Sequence, residues 1–344
     1  MNTISDDSLR TIHARLDSGL AAVRARFDAQ LASELTPVRE LCEHVRRYRG
    51  KMLRPTLVLL CALACADRRD ERAEASDITK DHITAASVCE MIHMATLVHD
   101  DVLDESEVRR GGPTLNRLRG NEASVILGDY LIAASYHLCS QIADQSVSLL
   151  VAKVSMTLCE GELLQLHHRD DYSLDEATYF EIIERKTASL ISLACRLGAM
   201  LSGAEASVCD RLAAFGSRLG VAFQIQDDLL DLTGDESSVG KSIQKDIAKG
   251  KLTLPVIHHL EQAVPIERGR SLRTIERAAS GGRDAETAAG ELLVRLRSTR
   301  SLEYARGIAE QLVADAKLML DGLPPGEARS TLLTAADAVV NRTR

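Results

Sequence analysis

Residues 83–104 read ITAASVCEMIHMATLVHDDVLD. Ile83, Ala86, Met91 and Met94 recur at helical spacing, and the run is apolar enough to predict a buried helix. It closes on His99-Asp100-Asp101-Val102-Leu103-Asp104. A second apolar helical run closes the same way, on Gln226-Asp227-Asp228-Leu229-Leu230-Asp231. In each DDxxD the first and last aspartates share one helix face, a turn apart. Like charges at that spacing repel, and the negative end of the helix dipole adds to the penalty. A cation reverses the balance. Sites with one or two carboxylates per ion suit Mg²⁺, which keeps several waters and accepts phosphate oxygens. Two such clusters facing each other would hold a diphosphate through bridging Mg²⁺. A solvated acidic helix end competes as an explanation of one copy. It competes poorly for two, each after an apolar helix and each followed by a basic or Gly-rich loop.

Helical periodicity extends outward in both directions. Leu16, Leu20, Val23, Phe27 and Leu31 form one stripe, and further helices are expected over about 121–142, 147–168, 175–202 and 206–231. No stretch alternates β-branched residues with period two, so no sheet is expected. The breaks are short: the charged loop 66–76, RRGGPT at 109–114, the Gly/Ser-rich 233–242, and the turns 279–286 and 321–327. None has linker composition. The expected architecture is all-α, with 1–344 forming a single domain.

Composition agrees. Of 344 residues, 45% are hydrophobic, 27% charged and 3% aromatic, with no Trp, a balance that favours helix over sheet. The net charge of −8 argues against nucleic acid as a partner. Eight scattered Cys without metal spacing read as buried thiols of a cytoplasmic protein. The polar start MNTISDDSLR is unlike a secretory signal, and no apolar run is long enough to span a membrane.

A diphosphate needs cations beyond the metals. Arg109 and Arg110 follow the first cluster, and guanidinium forks match phosphate oxygens. Lys51 and Arg54 flank the start of a helix that Pro55 can open, although for this segment taken alone a basic surface loop is the commoner explanation. Lys186-Thr187 interrupts an apolar helix, where the lysine either reaches solvent or holds an anion. Lys241 and Lys251 sit in Gly-containing segments after the second cluster. His93, two turns before Asp100, is either a hydrogen-bonded core histidine or a phosphate donor. Gln224, three residues before Asp227, can orient a metal-bound water or a phosphate.

Five ordered motifs now stand together: GKxxRP at 50–55, HDDxxDxxxxRRG at 99–111, KT at 186–187, FQxxDDxxD at 223–231 and GKxxxxDxxxGKxTLP at 240–255. Through them the chain resembles the trans-isoprenyl diphosphate (polyprenyl) synthases, from about residue 45 to 340. The resemblance implies the isoprenoid synthase fold, a helical bundle around a deep central cavity, and a homodimer. It implies that Lys51, Arg54, His93 and Arg110 bind isopentenyl diphosphate, while Arg109, Lys186, Thr187, Gln224, Lys241 and Lys251 bind an allylic diphosphate. Asp100, Asp104 and Asp227 would ligate Mg²⁺, with Asp101, Asp228 and Asp231 in support. The first motif departs from the usual GGKRxRP: Arg49 replaces a Gly and Met52 an Arg.

The implied reaction is ionisation of the allylic diphosphate, head-to-tail trans condensation with isopentenyl diphosphate, and proton loss. Rival readings are a class I terpene cyclase, a non-catalytic subunit of a heteromeric synthase, and a solvated helical scaffold. The tail of the product would run back along the helix that bears Asp100, past Thr96 and Ala95, both small. In this family a bulky aromatic at the Ala95 position goes with short products. Tyr136 is a candidate floor of the cavity, an ordinary core tyrosine being the alternative. The expected product is C20 or longer, extending to a longer polyprenyl chain, with a short-chain (farnesyl or geranylgeranyl) synthase as the alternative. Residues 91–116 look most like the long-chain synthases that make quinone side chains.

Overall fold

Leu, Ala and charged residues at helical spacing form helices throughout the computed structural model, which describes residues 6–66, 77–234, 245–280 and 283–342. By contact the chain divides into two units. The first comprises Met1–Ser155, Leu190–Gly216 and Leu320–Leu333; the second comprises Met156–Ser189, Ser217–Met319 and Thr334–Arg344.

The first unit is centred on α4 (Lys80–Leu103), packed by α1 (Asp6–Gln30), α3 (Leu53–Ala66) and α5 (Leu115–Cys139). α2 (Thr36–Arg46) lies against α5. α4 opens on a capping box: Thr79 Oγ1 accepts from the His82 amide, and His82 Nδ1 accepts from the Thr79 amide. Val88, Met91, Ile92, Met94, Ala95 and Val98 are buried. Each large apolar side chain among them contributes about 1.5–3 kcal/mol by leaving water. Val23, Phe27 and Leu31 of the α1 stripe are buried, while Leu16 and Leu20 are half-buried.

α6 (Gln145–His167) and α9 (Ala206–Thr233) match the expected long helices, whereas the segment expected at 175–202 is divided by a π-helical turn and continues as α8 (Ser189–Leu201). In the second unit, α7 (Glu176–Ile183) runs into a π-helical turn, Glu184–Ala188. α10 (Lys245–Ala248), α11 (Leu254–Gln262), α12 (Pro265–Ala279), α13 (Arg283–Ser298) and α14 (Ser301–Met319) complete this unit, with α11 packed on α7, α13 and α14. α15 (Glu327–Val340) is the last helix described. Most of the charged loop expected at 66–76 and most of the segment 233–242 fall outside the described residues.

One expectation needs correction. Residues 109–114 are not a plain break between helices, and the expectation of no strands fails at this one hairpin among the described residues. Val108–Arg109 (β1) pairs antiparallel with Gly112–Pro113 (β2), through Val108↔Pro113 and Arg109↔Gly112. Arg110 (φ 50°) and Gly111 (φ 76°) both take left-handed backbone, as a two-residue hairpin turn of the primed type requires. Strands of two residues leave no period for a sequence pattern to show.

Candidate active site

Between Thr84 and Val98 the half-buried residues of α4 are His93, Thr96 and Leu97, and Asp100 and Asp104 extend their stripe one and two turns on. His99, Val102 and Leu103 are also partly exposed toward the C-terminal end. Asp101, 1% exposed, points elsewhere. Its Oδ1 accepts from Arg109 Nε at 2.9 Å and Nη2 at 2.8 Å. Its backbone carbonyl accepts from Asn116 Nδ2 at 3.1 Å, and the same amide nitrogen donates to the Ser106 carbonyl. Asp101 therefore anchors the hairpin, and Arg109 is held on it. Tyr48 stands beside Asp101. Burial first, then that carboxylate, pushes its phenol up to about 12, while its oxygen accepts from the Leu115 amide at 2.9 Å.

Cations gather around the same helix. The Arg110 guanidinium lies over Gly50, where a Cβ would come within 2.5 Å of Nη2 and push the guanidinium aside. Arg54 sits in the first turn of α3 beside Glu90, a carboxylate 2% exposed. Burial raises the Glu90 pKa, and Arg54, Arg110 and Arg49 offset that rise. His93 is held well below its ordinary value, by burial first and then by Arg54, Arg110 and Arg109. It is a neutral imidazole near pH 7, able to donate one hydrogen bond. Lys51 is exposed. Both departures in this motif have a structural reason. Arg49 ion-pairs with Asp28 and lies 4.6 Å over the Phe27 ring; Met52, 3% exposed, fills the core.

In the second unit the KT dipeptide occupies the π-helical turn, an irregularity common at functional sites. Gly161 of α6 lets the turn approach, since a Cβ there would stand 2.7 Å from the Lys186 amide nitrogen. Lys186 Nζ donates to Gln165 Oε1 at 2.9 Å and ion-pairs with Glu162. Thr187 Oγ1 donates to Gln224 Oε1, and Gln224 Nε2 to Asp228 Oδ1, both at 2.8 Å. Tyr179 donates to Asp228 Oδ2 at 2.6 Å. The Asp228 pKa is raised well above the ordinary value, by burial first and then by Asp246. Gln224 thus orients a carboxylate in this state. Tyr179→Phe would leave a buried carboxylate oxygen unpaired. We expect it to cost about 1–3 kcal/mol in thermal denaturation, and an unchanged melting temperature would contradict that bond.

Asp227 and Asp231 are partly exposed. Burial pushes Asp227 up to about 6, and Arg342, whose Nη1 lies 2.9 Å away, pulls it down. Asp231 Oδ2 accepts from the Asp246 amide at 3.3 Å. Lys186, Thr187, Gln224, Asp228, Asp246 and Lys251 line one cavity of this unit. Lys241 lies outside the described residues.

Sequence reasoning missed Tyr48, Glu90, Tyr179, Asp246 and Arg342. Glu90 carries a signal, as a lone carboxylate inside an apolar run, and Asp246 stands in the last motif. The other three gain partners only through tertiary folding. Two chain-length candidates also separate: Ala95 is 0% exposed and Thr96 lies on the open stripe. Tyr136 is 38% exposed, which gives a floor at that ring no support.

The donor set fits Mg²⁺. Its oxygens are hard carboxylates, and among the described residues no group of three His, Cys, Asp or Glu could hold a metal alone. An ion completed by substrate phosphate and water needs no such group.

Comparison with known proteins gives a consistent picture. A family model described as polyprenyl synthetase matches residues 36–292. The chain is 34% identical over 327 residues to heptaprenyl diphosphate synthase component 2 of Geobacillus stearothermophilus, covering 94% of this chain and 96% of the relative. The crystal structure of a decaprenyl diphosphate synthase from Rhodobacter capsulatus matches with TM-score 0.86 and 35% identity, over 98% of this chain and 99% of that one. A polyprenyl synthase from Caulobacter crescentus, complexed with calcium and isoprenyl diphosphate, matches with TM-score 0.86 and 29% identity, over the whole of both chains.

Proposed function

The chain belongs to the polyprenyl synthetase family, trans-prenyltransferases of the all-α isoprenoid synthase fold, and we propose that it condenses isopentenyl diphosphate with an allylic diphosphate in a Mg²⁺-dependent reaction, to a chain of C20 or longer. The observation that carries this reading is the partly exposed face of α4, which aligns His93, Thr96, Asp100 and Asp104 beyond a buried stretch of the same helix. The family model crosses both units, which supports treating them as one polyprenyl synthetase domain.

Asp100, Asp104 and Asp227 are the metal ligands in this reading; Asp101, Asp228 and Asp231 support them. Bound there, Mg²⁺ supplies positive charge to the leaving diphosphate. Arg109, Lys186, Thr187, Gln224, Lys241 and Lys251 bind the allylic diphosphate and neutralise charge as the C–O bond breaks. Lys51, Arg54, His93 and Arg110 hold isopentenyl diphosphate, so that its double bond meets the allylic cation at short range. The apolar side chains of α4 keep out the water that would quench the cation. The released diphosphate takes the proton.

Lys51→Ala and Arg54→Ala should each weaken isopentenyl diphosphate binding by about 1.5–3 kcal/mol, the scale of a charge-assisted hydrogen bond. A rise in KM for the allylic substrate instead would reverse the two sites.

A homodimer completes the reading. Leu149, Met156 and Leu163, each 65% exposed, repeat every seven residues along α6, and Ile126 of α5 is 67% exposed. Such a stripe suits helix packing against a second copy. Among the described residues no helix is long and apolar enough to cross a membrane. A second reading follows from the component 2 relative: this chain is one half of a heteromeric synthase. Pyrophosphate release by the pure chain separates the two. Release that needs isopentenyl diphosphate, a primer and Mg²⁺, and no added partner, supports the homomeric enzyme; silence until a second protein is supplied supports the heteromer.

A further inference from the structure

Three contacts of different kinds fix Arg342 against one face of α9. Its Nη1 donates to Asp227 Oδ1 at 2.9 Å. Its guanidinium carbon stands 4.6 Å from the centroid of the Phe223 ring. Its carbonyl accepts from Gln226 Nε2 at 3.2 Å. Phe223, Gln226 and Asp227 are spaced three and four residues apart, so the arginine covers one turn of the second aspartate motif. All of these residues belong to the second unit.

The pairing conflicts with the role of Asp227. A metal on that carboxylate and a guanidinium 2.9 Å from the same oxygen are two cations side by side, and they repel. One must move when the other arrives. The backbone of Arg342 stays tied to Gln226, so its side chain swings without leaving the site. The new anion within reach is the diphosphate that arrives with the metal. A planar guanidinium fork matches its oxygens better than it matches a single carboxylate oxygen.

We propose that Arg342 is a diphosphate ligand held in reserve: it pairs with Asp227 while the site is empty and turns to the phosphate oxygens when that carboxylate is taken up by metal. The inference rests on the assignment of Asp227 as a metal ligand. It adds a cation to the second cluster from a segment that none of the five sequence motifs reaches.

Calorimetric titration of the full chain with inorganic pyrophosphate in excess Mg²⁺ tests it, together with the side-chain Nε–H resonance of Arg342, assigned by its loss in Arg342→Ala. The proposal expects Arg342→Ala to bind pyrophosphate at least tenfold more weakly and Arg342→Lys to recover part of the loss. It expects the resonance to shift on addition of Mg²⁺ and pyrophosphate, and to shift in Asp227→Asn without either. Circular dichroism of the variants checks that the helices persist. If the wild type binds pyrophosphate and Arg342→Ala matches it, or if the resonance does not move on loading, Arg342 only clasps the end of α15 to α9 and the proposal falls. If the wild type itself binds no pyrophosphate in Mg²⁺, the metal-ligand assignment fails first and takes this inference with it.

Discussion

Asp100→Ala and Asp104→Ala are each expected to abolish measurable condensation while leaving the fold intact. Both side chains lie on the partly exposed stripe at the C-terminal end of α4. There they repel each other and meet the negative end of the helix dipole, which makes neither carboxylate a mainstay of the helix. The loss of charge stabilisation at the leaving group should cost at least ~10²–10³-fold in turnover, the scale of removing one preorganised electrostatic contact. Asp101→Ala should behave in the opposite way. That carboxylate is buried under two donors from Arg109, and its loss also leaves the guanidinium without a partner. The expected cost is about 1–3 kcal/mol of stability, read as a lower melting temperature, because Arg109 remains partly exposed. Unchanged turnover of Asp100→Ala or Asp104→Ala at saturating Mg²⁺ would refute the metal assignment.

The second large effect concerns product length. Ala95→Phe is expected to shorten the product to about one extension of the primer, since a packed interior has no spare volume for both ring and tail. Position 95 is 0% exposed, so the ring should also overpack, at about 1–3 kcal/mol. Thr96→Phe is the cleaner probe. Thr96 lies on the half-buried stripe with Asp100, and its hydroxyl donates to the His93 carbonyl at 2.8 Å, one turn from the metal ligands. The same truncation is expected there with less loss of stability. Chromatographic sizing decides it. If both variants give the wild-type length distribution, the tail does not run along this face of α4.

The long helices were legible from apolar residues at helical spacing together with the absence of two-residue alternation. Residues 83–104 become α4, and the segment 206–231 becomes α9 with its aspartates at the end. The hairpin was not legible, because strands of two residues have no period to reveal. The functional aspartates could be found from charge placed where a helix disfavours it. Their division of labour could not. That Asp101 turns inward to Arg109, eight residues on, and that Gln224 binds Asp228 within one turn of α9, depends on side-chain orientation that sequence spacing alone does not fix. The same limit hid Tyr179 and Arg342. Each gains its meaning only from the aspartate it touches, 49 and 115 residues away.

The most direct test is the length of what the enzyme makes. The pure chain is incubated with isopentenyl diphosphate, farnesyl or geranyl diphosphate, and Mg²⁺, and the products are dephosphorylated and sized. The account predicts Mg²⁺-dependent all-trans products of C20 or longer, lost when the metal is chelated. Products that stop at C15, cyclic hydrocarbons, or no incorporation of isopentenyl units would contradict it.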